Sequence, residues 1–331
     1  MTNIGRFVLP GAICVLGACT SSVSSSGTGL PLQSSSHMLV PDSDSVDATP
    51  SPPAVWRPPA GPGWMSKRAA SGQNLIYVSN YNEIVIFPNE SGATPIGTIS
   101  DGVTNAYGLF VDTQINLYVC NSSFGTVVVY PPGQTSPSFT YSTGLTRPLY
   151  AVADSSRLFV GNASGGQIVE YALGNGQPQY TLHSLGSEVD GITLDADGNL
   201  YAAYRNKAKG GIEYFAQGTG TGTDLGIKLK APQGLLVASN GDLYVAETQG
   251  ANTIAGFHPG KTKPFARAPK TSYAPTQIQF DAPEQNLYDS NLDGRVDQIG
   301  FPGLRSVTPY ISDDSVLTSV QGFALSPPAP Q

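Results

Sequence analysis

Six copies of one short pattern lie along the chain at nearly even spacing. Each copy consists of an apolar residue, an aromatic residue and a third, usually small and apolar residue, and the aromatic recurs at steps of 41 to 44 residues. The copies are Ile76-Tyr77-Val78, Leu117-Tyr118-Val119, Leu158-Phe159-Val160, Leu200-Tyr201-Ala202, Leu243-Tyr244-Val245 and Leu287-Tyr288-Asp289. A second aromatic follows each of them by ten to thirteen residues. The spacing predicts tandem units that fold alike and pack on one another.

Each repeat has the pattern of four short β-strands. A small apolar strand comes first, the Leu-Tyr-Val strand second, a β-branched strand such as Val127-Val128-Val129 third, and a weaker strand last. Gly 38 and Pro 27, with only 12% charged residues, suit short strands and tight turns better than a helical bundle. Four strands in about 40 to 45 residues is the size of one β-propeller blade. The sequence therefore predicts an all-β, six-bladed β-propeller over residues 69–331.

The two ends of the repeat region complement each other. The first repeat has no inner strand, because residues 66–74 are polar and short, whereas the chain end supplies the spare strand Gln321-Gly322-Phe323-Ala324-Leu325. Closing a ring of blades buries the faces that terminal blades would otherwise expose. We expect the C-terminal strand to pair into the N-terminal blade and to close the ring.

Residues 1–18 have the pattern of a secretory signal, with Arg6 followed by an apolar run too short to span a bilayer. The run ends in Leu16-Gly17-Ala18-Cys19, which resembles the lipobox of bacterial lipoproteins and implies cleavage before a lipidated Cys19. The alternative is an ordinary cleaved secretory signal. The Ser- and Pro-rich residues 19–68 are expected to form a disordered tether. The residue after the cysteine, Thr20, resembles the one found at this position in outer-membrane lipoproteins. The resemblance implies a protein of the bacterial cell envelope, anchored to the outer membrane on its periplasmic or surface face.

The body of the chain also resembles a known group of propellers. The Gly-Leu-x-Val-Asp pattern at residues 108–112, followed by Asn-Leu-Tyr-Val at residues 116–119, looks like NHL-type propellers and the related gluconolactonase and streptogramin-lyase propellers. The resemblance covers roughly residues 70–331 and implies six blades. It does not select an activity, because this fold hosts binders, scaffolds and enzymes.

Two sets of side chains are expected to meet on one face, where inner strands begin and Leu-Tyr-Val strands end. The candidates for ligand contact there are Tyr107, Asp190, Gln233, Tyr204 and Glu247. An Asn at the same strand end has a simpler explanation, since Asn commonly bonds its own turn backbone. The net charge of −7 gives no basic face for nucleic acid. We expect a binding or scaffold module for a protein, glycan or small ligand.

The alternative is a lactonase- or lyase-type enzyme. Streptogramin-type lyases are understood to use histidines and acids at the channel mouth, but His183 and His258 fall outside the expected face and cannot form a zinc triad. The gluconolactonase resemblance implies instead a calcium site at the channel, for which the oxygen donors would be Glu247, Asn121, Asn162 and Asp190. Cys120, the one cysteine in the body, is expected to be a buried inert thiol.

The loop of residues 289–297, Asp-Ser-Asn-Leu-Asp-Gly-Arg-Val-Asp, differs from its counterparts in the other repeats. Its oxygen side chains at positions 1, 3, 5 and 9, with Gly at 6, follow the order of calcium loops. It resembles FG-GAP propeller loops, which implies calcium ligands at Asp289, Asn291, Asp293, the Arg295 carbonyl and Asp297. The alternative is a hairpin turn in which Arg295 neutralises a carboxylate. An acid at position 289, where other repeats carry Val or Ala, favours the metal because a buried acid is costly unless paired.

Overall fold

A computed structural model describes residues 63–207, 209–270, 274–282 and 284–328. The predicted signal segment, the predicted lipidation site Cys19 and most of the predicted tether lie outside these described residues. The described part folds into six antiparallel sheets. It also contains three short 3₁₀ helices, at Ala69–Ser71, Ser122–Phe124 and Ala216–Gly218. Within these ranges, none of the helices is long or apolar enough to cross a membrane.

Each sheet is one blade, numbered along the chain, and in blades 2 to 6 the strands follow one another in space as they do in sequence. Blade 1 contains β1 Gly63–Met65, β2 Leu75–Ser79, β3 Ile84–Pro88 and β4 Gly97–Ile99. Blade 2 contains β5 Ala106–Val111, β6 Leu117–Asn121, β7 Thr126–Tyr130 and β8 Phe139–Tyr141. Blade 3 contains β9 Pro148–Ala153, β10 Arg157–Asn162, β11 Gln167–Ala172 and β12 Pro178–His183. Blade 4 contains β13 Glu188–Leu194, β14 Leu200–Asn206, β15 Lys209–Phe215 and β16 Thr223–Leu229. Blade 5 contains β17 Ala231–Val237, β18 Leu243–Gln249, β19 Thr253–Phe257 and β20 Ala266–Arg267. Blade 6 contains β21 Pro275–Phe280, β22 Leu287–Asn291, β23 Arg295–Ile299 and β24 Val307–Ile311.

The last strand, β25 Phe323–Ser326, completes blade 1. It pairs antiparallel with β2, with Val78 opposite Phe323 and Leu75 opposite Ser326. The six innermost strands, β25, β5, β9, β13, β17 and β21, contact one another in that order around the axis. The predicted six-bladed, all-β propeller closed by its C-terminal strand is therefore confirmed.

The first blade begins earlier in the chain than the sequence predicted. Strand β1 pairs with β4, placing Trp64 opposite Thr98, and gives blade 1 a fifth, outermost strand. This strand lies ahead of residue 69, where the predicted propeller region begins. Three residues that pair only along the outer edge of a sheet carry no apolar alternation from which a strand could be predicted.

The core lies between neighbouring blades and not within any one of them. The aromatic of each Leu-Tyr-Val strand packs against an adjacent blade, as Tyr288 of blade 6 does in a cluster with Val78 of blade 1. Near the axis the innermost strands approach each other so closely that only Gly fits. A Cβ on Gly191 would lie 2.0 Å from the Gln233 carbonyl oxygen, and one on Gly234 would lie 2.4 Å from the Thr276 carbonyl oxygen. Glycines near the start of these strands therefore allow neighbouring innermost strands to approach closely at one end of the ring.

Candidate functional site

The ends of the propeller are defined by the innermost strands, which begin at the upper face and end at the lower face. At the upper face of blades 2 and 3, the Asn that ends the second strand binds the loop entering its own blade. Asn121 Oδ1 accepts a hydrogen bond from the Thr104 amide at 2.9 Å, and Asn162 Oδ1 accepts one from the Arg147 amide at 2.7 Å. These asparagines hold backbone of the incoming loop, 17 and 15 residues earlier in the chain, and not backbone of their own turn.

Two of the five candidate ligand residues are also engaged within their own blades. Glu247 Oε1 accepts a hydrogen bond from the Lys230 amide at 3.0 Å, and Glu247 Oε2 lies 3.5 Å from Arg267 Nη1. Tyr204 is nearly buried, and its burial and the nearby Asp224 raise its pKa. The proposed channel donors Glu247, Asn121 and Asn162 thus bond to three separate loops.

The other three candidates come together near the axis. Gln233 Nε2 of blade 5 donates to the Tyr107 hydroxyl of the opposite blade 2 at 3.2 Å, so that this bond crosses the ring. Burial raises the pKa of Tyr107 to about 12, and the charge of Asp190 adds to this. Asp190 is itself buried and accepts a hydrogen bond from Arg205 Nε at 2.7 Å. Burial raises the pKa of Asp190 although Arg205 opposes the shift.

A second layer of cross-axis bonds lies next to the first. Gln277 of blade 6 donates through Nε2 to the Leu109 carbonyl at 2.6 Å and accepts from the Leu109 amide at 3.1 Å. The same Gln277 oxygen accepts from the Phe323 amide at 3.2 Å, which ties the closing strand into the network. Gln277 and Arg205 are not among the residues predicted from the sequence, since no local pattern shows which side chains reach toward the axis of the ring. These two layers close the upper end of the central channel.

Below this closure the channel widens into a cavity of about 460 Å³. All six innermost strands contribute to its wall, among others through Leu109, Tyr150, Ile192, Leu235, Ile278 and Leu325. Its rim is formed by the turns that follow these strands, including Ala196 and Ser239, which are exposed. The cavity is therefore a mainly apolar pocket, blind at the upper end and lined at its lower end by exposed turns.

The rim of the cavity is acidic. Within the described part of the chain, the lining holds the carboxylates Asp195, Asp197 and Glu284 and no Lys, Arg or His. Asp195 accepts hydrogen bonds from its own turn, and Glu284 accepts 2.8 Å and 3.1 Å bonds from the hydroxyl and amide of Ser239. Asp197 is exposed. The rim thus favours neutral or positively charged groups over anions.

The acidic hairpin of residues 289–297 lies elsewhere, and comprises the end of β22, the turn and the start of β23 in blade 6. Asp289 is directly opposite Asp297, and Asn291 is opposite Arg295, so the four side chains share one face of the sheet. Leu287, two residues earlier on that face, packs in the core between blades 5 and 6. Asp289, Asn291 and Asp297 each have 0% of their surface exposed.

Several oxygens of this hairpin accept no hydrogen bond of normal geometry. They are both carboxyl oxygens of Asp289 and one side-chain oxygen each of Asn291, Asp293 and Asp297. Burial raises the pKa of Asp289 well above its ordinary range, the charge of Asp297 raises it further, and Arg295 lowers it. Arg295 lies among the acids, with Nη1 2.9 Å from Asp293 Oδ2 and Nε 3.1 Å from Asp297 Oδ1. The hairpin therefore holds more negative charge than its own cation balances.

The remaining chemistry-bearing residues lie apart from these sites. His183 and His258 are both exposed, and His258 Nδ1 lies 2.8 Å from Asp242 Oδ1. Cys120 is buried, and its burial raises the pKa of the thiol. Among the described residues, no three His, Cys, Asp or Glu side chains alone are placed as a group that could hold a metal ion.

The comparisons with known proteins define the class of this chain as a β-propeller. A chain from the crystal structure of a nidogen/laminin complex superposes with a TM-score of 0.65 at 16% identity, over 76% of this chain and 98% of that one. A chain of Kuenenia stuttgartiensis hydrazine synthase superposes with a TM-score of 0.56 at 14% identity, over 77% and 80%. No protein-family profile and no curated protein matches the sequence. At these identities the likeness shows the fold alone.

Proposed function

We propose that this propeller is a binding module that holds a small ligand, apolar in body and neutral or cationic, in its central cavity. The observation that carries the proposal is the cavity itself, blind at the upper end where Gln233 bonds to Tyr107 across the ring. Its volume of about 460 Å³ falls within the roughly 300 to 1,000 Å³ typical of small-molecule pockets.

The chemistry of the wall sets the class of ligand. Side chains such as Ile192, Leu235 and Ile278 offer apolar contact, which favours a hydrocarbon or aromatic body. The rim carboxylates, Asp197 above all because it is exposed, attract a positive group and repel a carboxylate or phosphate. The polar candidates Tyr107, Asp190 and Gln233 lie at the upper end of the channel and are not part of the cavity lining.

The charge preference can be measured with three probes of one length. Octylamine, 1-octanol and octanoate carry a positive, a neutral and a negative head on the same apolar chain. By isothermal titration calorimetry we expect the amine to bind most tightly and octanoate most weakly. Equal binding of amine and octanoate, or binding of none of the three, would contradict the proposal.

Two variants place the binding at this cavity. Asp197→Lys reverses one rim charge and should weaken amine binding about threefold, since an exposed charge several ångströms away acts through water and salt. Ala196→Trp sets an indole at the rim and should weaken all probes that bind. Asp101→Lys makes the same charge change outside the cavity lining and should leave amine affinity unchanged.

We further propose that the propeller acts outside the cytoplasm, held to the envelope membrane by lipid on Cys19. The support is the sequence alone, an apolar run that ends in Leu-Gly-Ala-Cys. Cells expressing the full chain should retain it in the membrane fraction, and mass spectrometry of its N-terminal peptide should show a diacylated cysteine. Cys19→Ser should release the protein into the soluble envelope fraction. Unchanged membrane retention of that variant would exclude a lipid anchor at this residue.

A further inference from the structure

Blade 6 departs from its sister blades at two neighbouring positions. Where the other second strands place Val78, Val119, Val160, Ala202 and Val245, blade 6 places Asp289. Asn291 also differs from its counterparts, since Asn121 and Asn162 accept bonds from incoming loop backbone. Asn291 Nδ2 instead donates to Asp297 Oδ2 at 2.8 Å, and its Oδ1 accepts no hydrogen bond. Both departures place side-chain oxygens on the same face of the hairpin.

These oxygens are buried, and no backbone donor of the described residues forms a hydrogen bond with them. Asp289 has 0% of its surface exposed, and both of its oxygens lack a hydrogen bond of normal geometry. Buried polar atoms in folded proteins are nearly always partnered, so the two oxygens of Asp289 call for a further partner. The hairpin contains three carboxylates and only one guanidinium, that of Arg295. The missing partner should therefore carry positive charge.

We propose that the hairpin of residues 289–297 binds a calcium ion through the side-chain oxygens of Asp289, Asn291, Asp293 and Asp297. The donor set contains only oxygen, which suits a hard cation and not zinc, whose ligands are mainly nitrogen and sulfur. Calcium accepts six to eight oxygens in flexible geometry, whereas magnesium demands a near-ideal octahedron. The backbone carbonyl of Arg295 and water complete the shell.

Arg295 competes with the ion for the same carboxylates. Its side chain is 28% exposed, so it can leave Asp293 and Asp297 for solvent when calcium enters. In the absence of calcium the guanidinium supplies part of the missing positive charge.

Occupancy of the hairpin bears on ring closure. A Cβ on Gly294 at the hairpin tip would lie 3.0 Å from the Leu317 carbonyl oxygen, so the tip contacts the segment that leads to the closing strand. That segment is held on its other side by blade 1, where Asn80 Nδ2 donates to the Val316 carbonyl at 3.0 Å. Calcium would therefore stabilise the connection between the last and first blades.

The test is calcium titration of the full chain with two variants. By isothermal titration calorimetry the wild type should bind one ion with a Kd on the order of 10⁻⁴ to 10⁻³ M, and its melting temperature should rise with calcium relative to EDTA. Asp289→Val installs the residue of the sister blades, so it should melt at or above the wild type in EDTA and show no calcium response.

Arg295→Ala distinguishes a metal site from an Arg-neutralised turn. It should melt lower than the wild type in EDTA, recover with calcium, and bind the ion about tenfold more tightly because the competing cation is gone. Asp314→Asn removes one exposed carboxylate near Asp293 and should keep the full calcium response. If Asp289→Val responds to calcium as the wild type does, or calcium fails to rescue Arg295→Ala, the proposal is wrong.

Discussion

Truncation of Phe323 to Ala tests the energetic weight of the closing strand. Phe323 has 0% of its surface exposed and packs in one cluster with Val78 of blade 1 and Tyr288 of blade 6. Because the cavity left by Phe323→Ala would have walls from two different blades, it cannot collapse easily, and the loss should be about 3 to 5 kcal/mol. For a domain of this size about 2 °C is lost per kcal/mol, which gives a fall in melting temperature of roughly 6 to 10 °C.

The assay is differential scanning calorimetry together with urea unfolding followed by circular dichroism. Phe124→Ala is the matched control, since Phe124 is 68% exposed and its truncation should change stability by less than about 0.5 kcal/mol. Deletion of residues 319–331 should prevent cooperative folding of the whole domain, because it opens the ring. Equal melting temperatures for Phe323→Ala and Phe124→Ala would refute a closing role for the strand.

Three other predictions follow from particular contacts. Gly191→Ala should destabilise the folded protein by about 1 to 3 kcal/mol or more in urea titration. The control Gly176→Ala, whose Cβ would have its nearest neighbour at 3.7 Å, should be nearly neutral. Equal effects of the two substitutions would contradict the close approach of the innermost strands. Burial raises the pKa of Glu213, so the folded state binds its proton more tightly and stability should fall as pH rises from about 4.3 through the folded pKa. Glu213→Gln should flatten that part of the pH–stability curve, and parallel curves would show the reasoning to be wrong. Cys120 should resist thiol reagents in native buffer and react in urea, as read by peptide mass spectrometry, and rapid native labelling would disprove its burial.

The fold was predictable because its information is local and repeated. Six aromatic-centred strands at even spacing predict six blades, and the spare apolar strand around Phe323 predicts how the ring closes. Aspartate at the exit of the innermost strand is part of the same signal. Asp112 accepts a bond from the Asn116 amide at 2.8 Å, and Asp195 accepts one from the Asn199 amide at 2.9 Å. The recurring Asp-to-Asn spacing therefore encodes the turn that leads into the second strand.

The central closure could not be predicted in the same way. The bond between Tyr107 and Gln233 joins residues 126 positions apart, and that between Leu109 and Gln277 joins residues 168 apart. Which inner-strand residues reach across the axis depends on the diameter and register of the finished ring, and neither is written in any one repeat. Asp289 could be singled out from the sequence, because alignment of the repeats shows an acid at an apolar position. Only the structure shows that its oxygens are buried without hydrogen-bond partners.

Native-state hydrogen exchange of the closing strand, followed by mass spectrometry, tests the closed ring most directly. Because β25 pairs with β2 from Leu75 to Val78, amides of the fragment covering Phe323–Ser326 should exchange only through the same global opening as those of β2. Equal protection of the two strands is the predicted result. Exchange of this fragment within seconds, while β2 stays protected, would show that the tail lies outside the ring and would contradict the account.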